Sequence, residues 1–428
     1  MMWKSLPETW QVDVRTGLVS LKTKMQPEVR PAAVACAVAA AVGMLLTAIT
    51  LSAVTKGTDF FYYFCFSRLV ALGHGAQIYD SRVLGAFQRH LASPIRVPGG
   101  FIPNVYPPFF AVALAPLADL PYSISFISWL LLNCIALGLS LLYLERYARL
   151  GRRGVILFRA AALASLPVVV ASLLGQVSFL MLGLLCISMH ALRTDRDRIA
   201  GVALGLTLIK PQYAVAFLLV LVIQRRYHSL AAFVATAAVL FVGPIFVLGW
   251  SIDTSYIQTL AHAASWGSSV GGFTPSANRS LVGFTRLLFP APIAAPLSIV
   301  LDLIALGVMG MAAVKSRSIE LPFGIAVVVT LLVGQHVLIH DLTLLLIPAA
   351  IAWRFRAMAP NGTLILGVIL YLAIYVGFST SITWHIQVPT IAMAVLGVWL
   401  FLIVLRGSSN HTPVAVTQPG GSNLPAPI

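Results

Sequence analysis

The chain holds 13 Asp and Glu residues against 28 Lys and Arg, few enough acids to ask of each what proton, cation or helix end it serves. A carboxylate that works as a general base gains from partial shelter, because lost solvation disfavours its charge and makes it more basic. Asp59 has that setting: it follows Gly57-Thr58 and heads the run Phe60-Phe61-Tyr62-Tyr63-Phe64. Two readings stand for it, a helix cap or loop acid and a base that accepts a proton from a hydroxyl. Asp80, in Tyr79-Asp80-Ser81, is placed to cap the helix that follows. Asp253 falls in a polar turn without apolar shelter. Asp302 lies inside an apolar stretch, where an acid is a functional candidate or a hydrogen-bonding partner of a neighbouring helix. Glu8, Asp13, Glu28, Glu145, Asp195, Asp197 and Glu320 sit among basic clusters, where ion pairing or solvation accounts for them. Asp119 ends a short apolar segment.

The elements that must position these groups are membrane helices. Hydrophobic residues make up 59% of the 428 and charged residues only 10%, whereas a soluble chain carries roughly 25% charged residues. Apolar runs of about 18–25 residues, enough to cross a bilayer core of about 30 Å, recur from Val34 to Leu405. The formal charge of +15 is spread in short clusters between those runs, the pattern of positive-inside loops and not of a nucleic-acid face. Placing those clusters in the cytoplasm gives a cytoplasmic segment 1–31, a membrane domain 32–406 and a cytoplasmic tail 407–428 whose Ser, Pro, Gly and Asn content predicts disorder. The first span, about Ala33–Val54, then leads outward, and residues 58–106 and 250–290 form two outer loops. The fold expected is all-α and polytopic, with roughly 10–13 spanning or partly inserted helices.

Two stretches resist simple threading. Pro107–Leu120 is too short for an ordinary span, so it inserts partially or breaches the positive-inside rule. Ile199–Ile223 has Lys210-Pro211 at its centre, which predicts two half-helices meeting there, since proline breaks the helical ladder. Cys36, Cys65, Cys134 and Cys186 lie in apolar surroundings with no CxxC pair and are expected as buried free thiols. No metal-ligating spacing, Walker loop or nucleophile elbow is present, so no metal and no cofactor is expected.

Other groups expected on the outer side are basic. Arg68 lies nine residues beyond Asp59 on the same helix, Lys210 stands at the break, and Arg279 and Arg286 belong to the second outer loop. His336 and His340 are one helical turn apart on a shared face, with Asp341 adjacent. Outer cations run against the usual bias, so they are candidates for an anionic ligand, with lipid phosphates as the alternative partner.

In chain order, Asp59-Phe60-Phe61-Tyr62-Tyr63, Leu72-Gly73-His74-Gly75 with Ile78-Tyr79-Asp80, Tyr106-Pro107-Pro108-Phe109-Phe110 with Ala115-Pro116-Leu117, Trp129 and Asn133, Gly175-Gln176, Ala200-Gly201 and Lys210-Pro211, Asn278-Arg279-Ser280-Leu281 with Arg286, and His340-Asp341-Leu342 resemble bacterial glycosyltransferase family 87. The chain departs from the family pattern at Ser178, where Asn is usual, and in lacking an aromatic before His340. The resemblance implies a helical membrane enzyme with a GT-C-like fold in the bacterial cytoplasmic membrane. It would take a sugar, such as mannose, from a polyprenyl-phosphate donor to a lipid or glycan acceptor on the outer face, with membrane lipids around it and no nucleic acid. The early acid of the family corresponds to Asp59, the expected general base of an inverting hexosyltransferase. Arg68, Lys210, Arg279, Arg286 and His340 are then candidates for the donor phosphate, and Tyr106, Gln176, Asn278, Ser280, His336 and Asp341 for positioning. The competing reading is a transporter or lipid flippase using Asp302, Lys210 and the broken helix as a path.

Overall fold

The computed structural model describes residues 11–12, 19–20, 58–95, 101–263, 274–316, 318–358 and 360–409. The expected first span and nearly all of the two terminal segments therefore lie outside the described residues. Apart from a two-residue ladder, Gln11–Val12 (β1) against Val19–Ser20 (β2), the architecture is helical, as the apolar runs require. Among the described residues, five helices are long and apolar enough to cross a membrane: α4 (Tyr122–Tyr147), α10 (Tyr227–Leu248), α13 (Ala291–Lys315), α16 (Pro360–Thr383) and α17 (Val388–Ser409). Each turns large aliphatic side chains such as Leu131, Val239, Leu303, Ile369 and Val398 outward, as helices facing lipid do.

Shorter pieces fill the space between them and carry the polar groups. They are α1 (Thr58–Ala71), α2 (Ser81–Ile95), α3 (Pro108–Ala118), α5 (Arg152–Ala164), α6 (Leu166–Leu174), α7 (Ser178–Arg193), α8 (Asp197–Leu206), α9 (Ala214–Ile223), α11 (Ile252–Ala263), α12 (Leu281–Leu288), α14 (Glu320–Val333) and α15 (Leu346–Arg354). With 11 residues, α3 reaches only about 16 Å, half a bilayer core. Partial insertion is thus the reading that fits residues 107–120. α5 and α6 form a pair bent by 51° at Ser165, whose backbone is extended where Pro167 opens the next helix.

The break at Lys210-Pro211 is present. α8 tightens into a 3-10 turn over Thr207–Ile209, Lys210 takes φ −123° and ψ 85°, and a second 3-10 turn over Pro211–Tyr213 leads into α9. A residue before proline is driven out of the helical region by the ring, and this one bends the two halves apart. α8 packs closely on α10 because Gly201 and Gly205, one turn apart, lie against Ser229 and Thr236, a small-residue contact of the kind membrane helices use.

Among the described residues, acids assigned to basic clusters pair with arginines of those clusters. Arg159 grips Glu145 through two bonds of 2.7 and 2.8 Å, Arg193 meets Glu320 at 2.7 Å, and Arg226 meets Asp195 and Asp197 at 2.8 and 3.1 Å. Asp80 caps α2, accepting from the backbone N–H of Arg82 at 2.8 Å. Three expectations are corrected. Cys134 is exposed on the outward face of α4, while Cys65 and Cys186 are buried. Asp253 lies in the first turn of α11 with one carboxylate oxygen buried, not in an open polar turn. His336 and His340 do not share a helical face, because α14 ends at Val333 and a 3-10 turn begins only at Ile339.

Candidate active site

Asp59 sits in the first turn of α1, but no backbone N–H of that helix donates to it. Instead Gln176 Nε2 donates to Asp59 Oδ2 in a short contact, and Gln176 Oε1 accepts from Tyr63 Oη at 2.8 Å. Tyr63 Oη lies 2.7 Å from Tyr106 Oη. Asp59 Oδ1 has no hydrogen-bond partner among the described residues. Burial raises the Asp59 carboxyl to about 6, against the opposing pull of the Gln176 bond and of the Lys210 charge, while Asp341 pushes it further up.

The turn that supplies Gln176 is built for that approach. Gly175 ends α6 in the left-handed region, φ 69°, the usual glycine helix stop. A Cβ there would stand 2.7 Å from Phe60 Cβ and 2.9 Å from the Phe126 ring. The glycine carbonyl accepts from Trp129 Nε1 at 2.7 Å, which ties the turn to α4 while Phe60, beside Asp59, stacks on the same indole at 5.9 Å. Tyr63, Tyr106, Phe110 and Trp129 pack edge to face around it with centroids 4.9–6.2 Å apart. The aromatic run is therefore a buried wall fixing the acid and its amide partner.

Within electrostatic reach of Asp59, Lys210 Nζ meets Asp341 Oδ1 at 2.5 Å, both side chains being buried. Asp341 belongs to the 3-10 turn Ile339–Leu345, and its Oδ2 accepts the Leu338 N–H at 3.0 Å. Burial alone would raise the Asp341 carboxyl, but Lys210 and these bonds outweigh it and hold it at about 2. His340 Nε2 stands 3.6 Å from Asp341 Oδ2, too far for a hydrogen bond, and its buried Nδ1 has no partner among the described residues. Burial lowers His340 to about 3 and His336 to about 4, so both rings are neutral at neutral pH.

Of the five candidates for an anionic ligand, Lys210 acts on Asp59 through its charge, and the neutral His340 stands against Lys210's partner Asp341. Arg68 turns away, pairing with Asp119 and the Ala118 carbonyl at the end of α3. Arg286 is exposed in the last turn of α12. Arg279 is 2% exposed and donates to Ser276 O and Ser381 Oγ, both at 2.8 Å, joining the second loop to α16; burial lowers it to about 10, leaving it charged.

The positioning candidates divide in the same way. Tyr106, Gln176 and Asp341 belong to the cluster. Asn278 accepts from Val337 N–H at 3.0 Å and Ser280 Oγ at 2.9 Å, and donates to Gln335 O at 2.8 Å. Asn278 and Ser280 thereby latch the loop to the 335–337 segment, and this takes the backbone bonds a helix through His336 would need. Sequence reasoning gave no role to Tyr63, whose hydroxyl was hidden in an aromatic run, or to Trp129, whose bond to Gly175 spans 46 positions. Among the described residues no group of three His, Cys, Asp or Glu side chains is placed to hold a metal ion.

The family model of glycosyltransferase family 87 matches residues 104–340, more than half of the chain and including Tyr106, Gln176, Lys210, Asn278 and His340; Asp59 lies upstream of the match. No curated protein and no solved structure matches the chain. A polytopic helical chain carrying this match belongs to glycosyltransferase family 87 and is a membrane glycosyltransferase.

Proposed function

We propose that the chain transfers a hexose from a polyprenyl-phosphate donor to a hydroxyl of a lipid or glycan acceptor, with Asp59 as general base on the outer face of a bacterial cytoplasmic membrane. The observation that carries this reading is the Asp59 carboxylate: one oxygen is held by Gln176, the other has no partner among the described residues, and burial makes it more basic than an ordinary Asp. At pH 7 a group of that basicity is mostly ionised yet a better proton acceptor than an exposed carboxylate.

The acceptor oxygen attacks the anomeric carbon as Asp59 Oδ1 takes its proton, and the bond from that carbon to the phosphate oxygen breaks. The electron pair leaves with the polyprenyl phosphate from the opposite side, so the configuration inverts. The oxygen's nucleophilicity and its proton loss grow together in the transition state, where a positioned base contributes typically 10²–10⁴-fold.

Membership in a glycosyltransferase family sets the transporter reading aside. Asp302, which that reading would use, lies on α13, and among the described residues its buried oxygen has no hydrogen-bond partner. The test is transfer of label from polyprenyl-phosphate sugars into a lipid extract by membranes holding wild-type or Asp59→Asn protein. Loss of transfer in the variant is expected; transfer at the wild-type rate would overturn the assignment of the base.

A further inference from the structure

The leaving group of the proposed reaction is a phosphate, and its developing charge needs a fixed cation. Lys210 is the one ammonium among the described residues whose charge acts on Asp59, and the 3-10 turn that carries its partner Asp341 packs on α6, the helix that ends at the Gly175-Gln176 turn. Lys210 is not a free cation, because Asp341 already neutralises it at 2.5 Å. The two halves of this pair are unequally engaged. Asp341 is 3% exposed and holds Lys210 with one oxygen and the Leu338 N–H with the other.

Lys210 is the more exposed half, at 9%. An ammonium has three N–H donors, and among the described residues only one of them is recorded in a hydrogen bond, the one to Asp341; the Tyr213 ring lies 5.6 Å away. A buried ammonium with donor capacity left over, backed by a carboxylate and lying beside a candidate base, has the geometry of an anion subsite set from behind.

Resting on the donor class proposed above, we infer that Lys210 binds the donor phosphate and that Asp341 is its built-in counter-anion, lowering phosphate affinity so that polyprenyl phosphate can leave. The pair serves two needs. Before the donor arrives, Asp341 keeps a buried ammonium from standing unpaired, which is costly. Once the phosphate shares Lys210, the second anion opposes it, and the site does not trap its own product. The 3-10 turn fixes Asp341, so it stays in place when the phosphate binds.

Binding of a short-chain prenyl phosphate to purified protein in detergent micelles tests this without turnover. Wild type is expected to bind it. Asp341→Asn keeps an oxygen that can accept from Lys210 but removes the charge, and should bind about tenfold more tightly, equivalent to about 1.4 kcal/mol. In transfer assays the same variant should show a lower multiple-turnover rate with an undiminished single turnover. Its acidic limb should also move to lower pH, because Asp341 is the carboxylate that raises Asp59, against Gln176 and Lys210.

The double variant Lys210→Met/Asp341→Asn leaves no unpaired buried charge and should bind at least tenfold more weakly than wild type. Wild-type affinity in the double variant overturns the Lys210 assignment. Unchanged or weaker binding by folded Asp341→Asn overturns the counter-anion. If Asp341→Asn fails to fold, Asp341→Ser, which also removes the charge and keeps a polar oxygen, takes its place under the same rule, and the double variant decides Lys210 alone. Absence of binding by wild type instead refutes the donor class itself.

Discussion

Replacing Gln176 by Leu removes the amide that donates to Asp59 Oδ2 and keeps a side chain of similar length in the turn after Gly175. A hydrogen bond to a charged acceptor contributes about 1.5–3 kcal/mol, and about 1.36 kcal/mol corresponds to one pKa unit. That bond favours the ionised carboxylate, so its loss should raise Asp59 from about 6 by about one to two units. The assay is the rate of sugar transfer to a lipid acceptor under kcat/KM conditions from pH 5 to 9.5. Wild type should gain activity with an inflection near 6, and Gln176→Leu near 7 to 8. The variant should be at least tenfold slower at pH 5 and close to wild type at the alkaline end. A uniform loss across the range, with the inflection still near 6, would refute the claim that this amide tunes the base.

Other perturbations separate chemistry from architecture. Asp59 is raised relative to the unfolded chain, so its contribution to stability is present below pH 4 and lost as pH rises through about 6. Asp59→Asn should therefore unfold at higher temperature than wild type above pH 6, by at most about 3 kcal/mol, with the gap closing below pH 4. Gly175→Ala forces a left-handed residue and a Cβ against Phe60 and Phe126; a stability loss of about 2–4 kcal/mol and an acidic limb moved upward are expected from thermal unfolding and pH profiles. Asn278→Ala strips the Val337 N–H of its acceptor and should lower stability by about 2–3 kcal/mol with the acidic limb unmoved. Arg68→Gln breaks an exposed pair with Asp119, worth less than about 1 kcal/mol, and transfer should stay within twofold of wild type.

The features legible in the sequence were those written in local order. Apolar length predicted the five long helices, Lys210-Pro211 predicted the broken one, and Tyr79-Asp80-Ser81 predicted a cap. Asp59 was legible as an acid at the head of an aromatic run, and Gln176 as a positioning group through the family resemblance. What was hidden is pairing over distance. Nothing near Arg68 announces Asp119, 51 positions on, and nothing near Lys210 announces Asp341. Charge and side of the membrane made Arg68 and Arg279 equal candidates with Lys210, yet packing spends the first on the end of α3 and the second on α16. The spacing of His336 and His340 misled for a related reason, since Asn278, nearly sixty positions earlier, takes the backbone bonds that a continuous helix would have used.

The Lys210–Asp341 pair also has a history in the life of each molecule. Its members are 131 positions apart, so the ribosome delivers the ammonium long before the carboxylate exists. A Lys at the centre of an inserting helix costs roughly 2.5–3.5 kcal/mol, and the segment around Lys210 must bear that cost alone while α10 to α14 are still being made. The backbone interruption at Pro211 eases this interval, because two half-helices let the lysine reach toward an interface where one rigid rod would hold it at mid-depth. Only when the 3-10 turn after α14 arrives is the charge settled. A chain arrested before residue 341 therefore lacks this contact and the finished site even if every earlier helix is in the membrane.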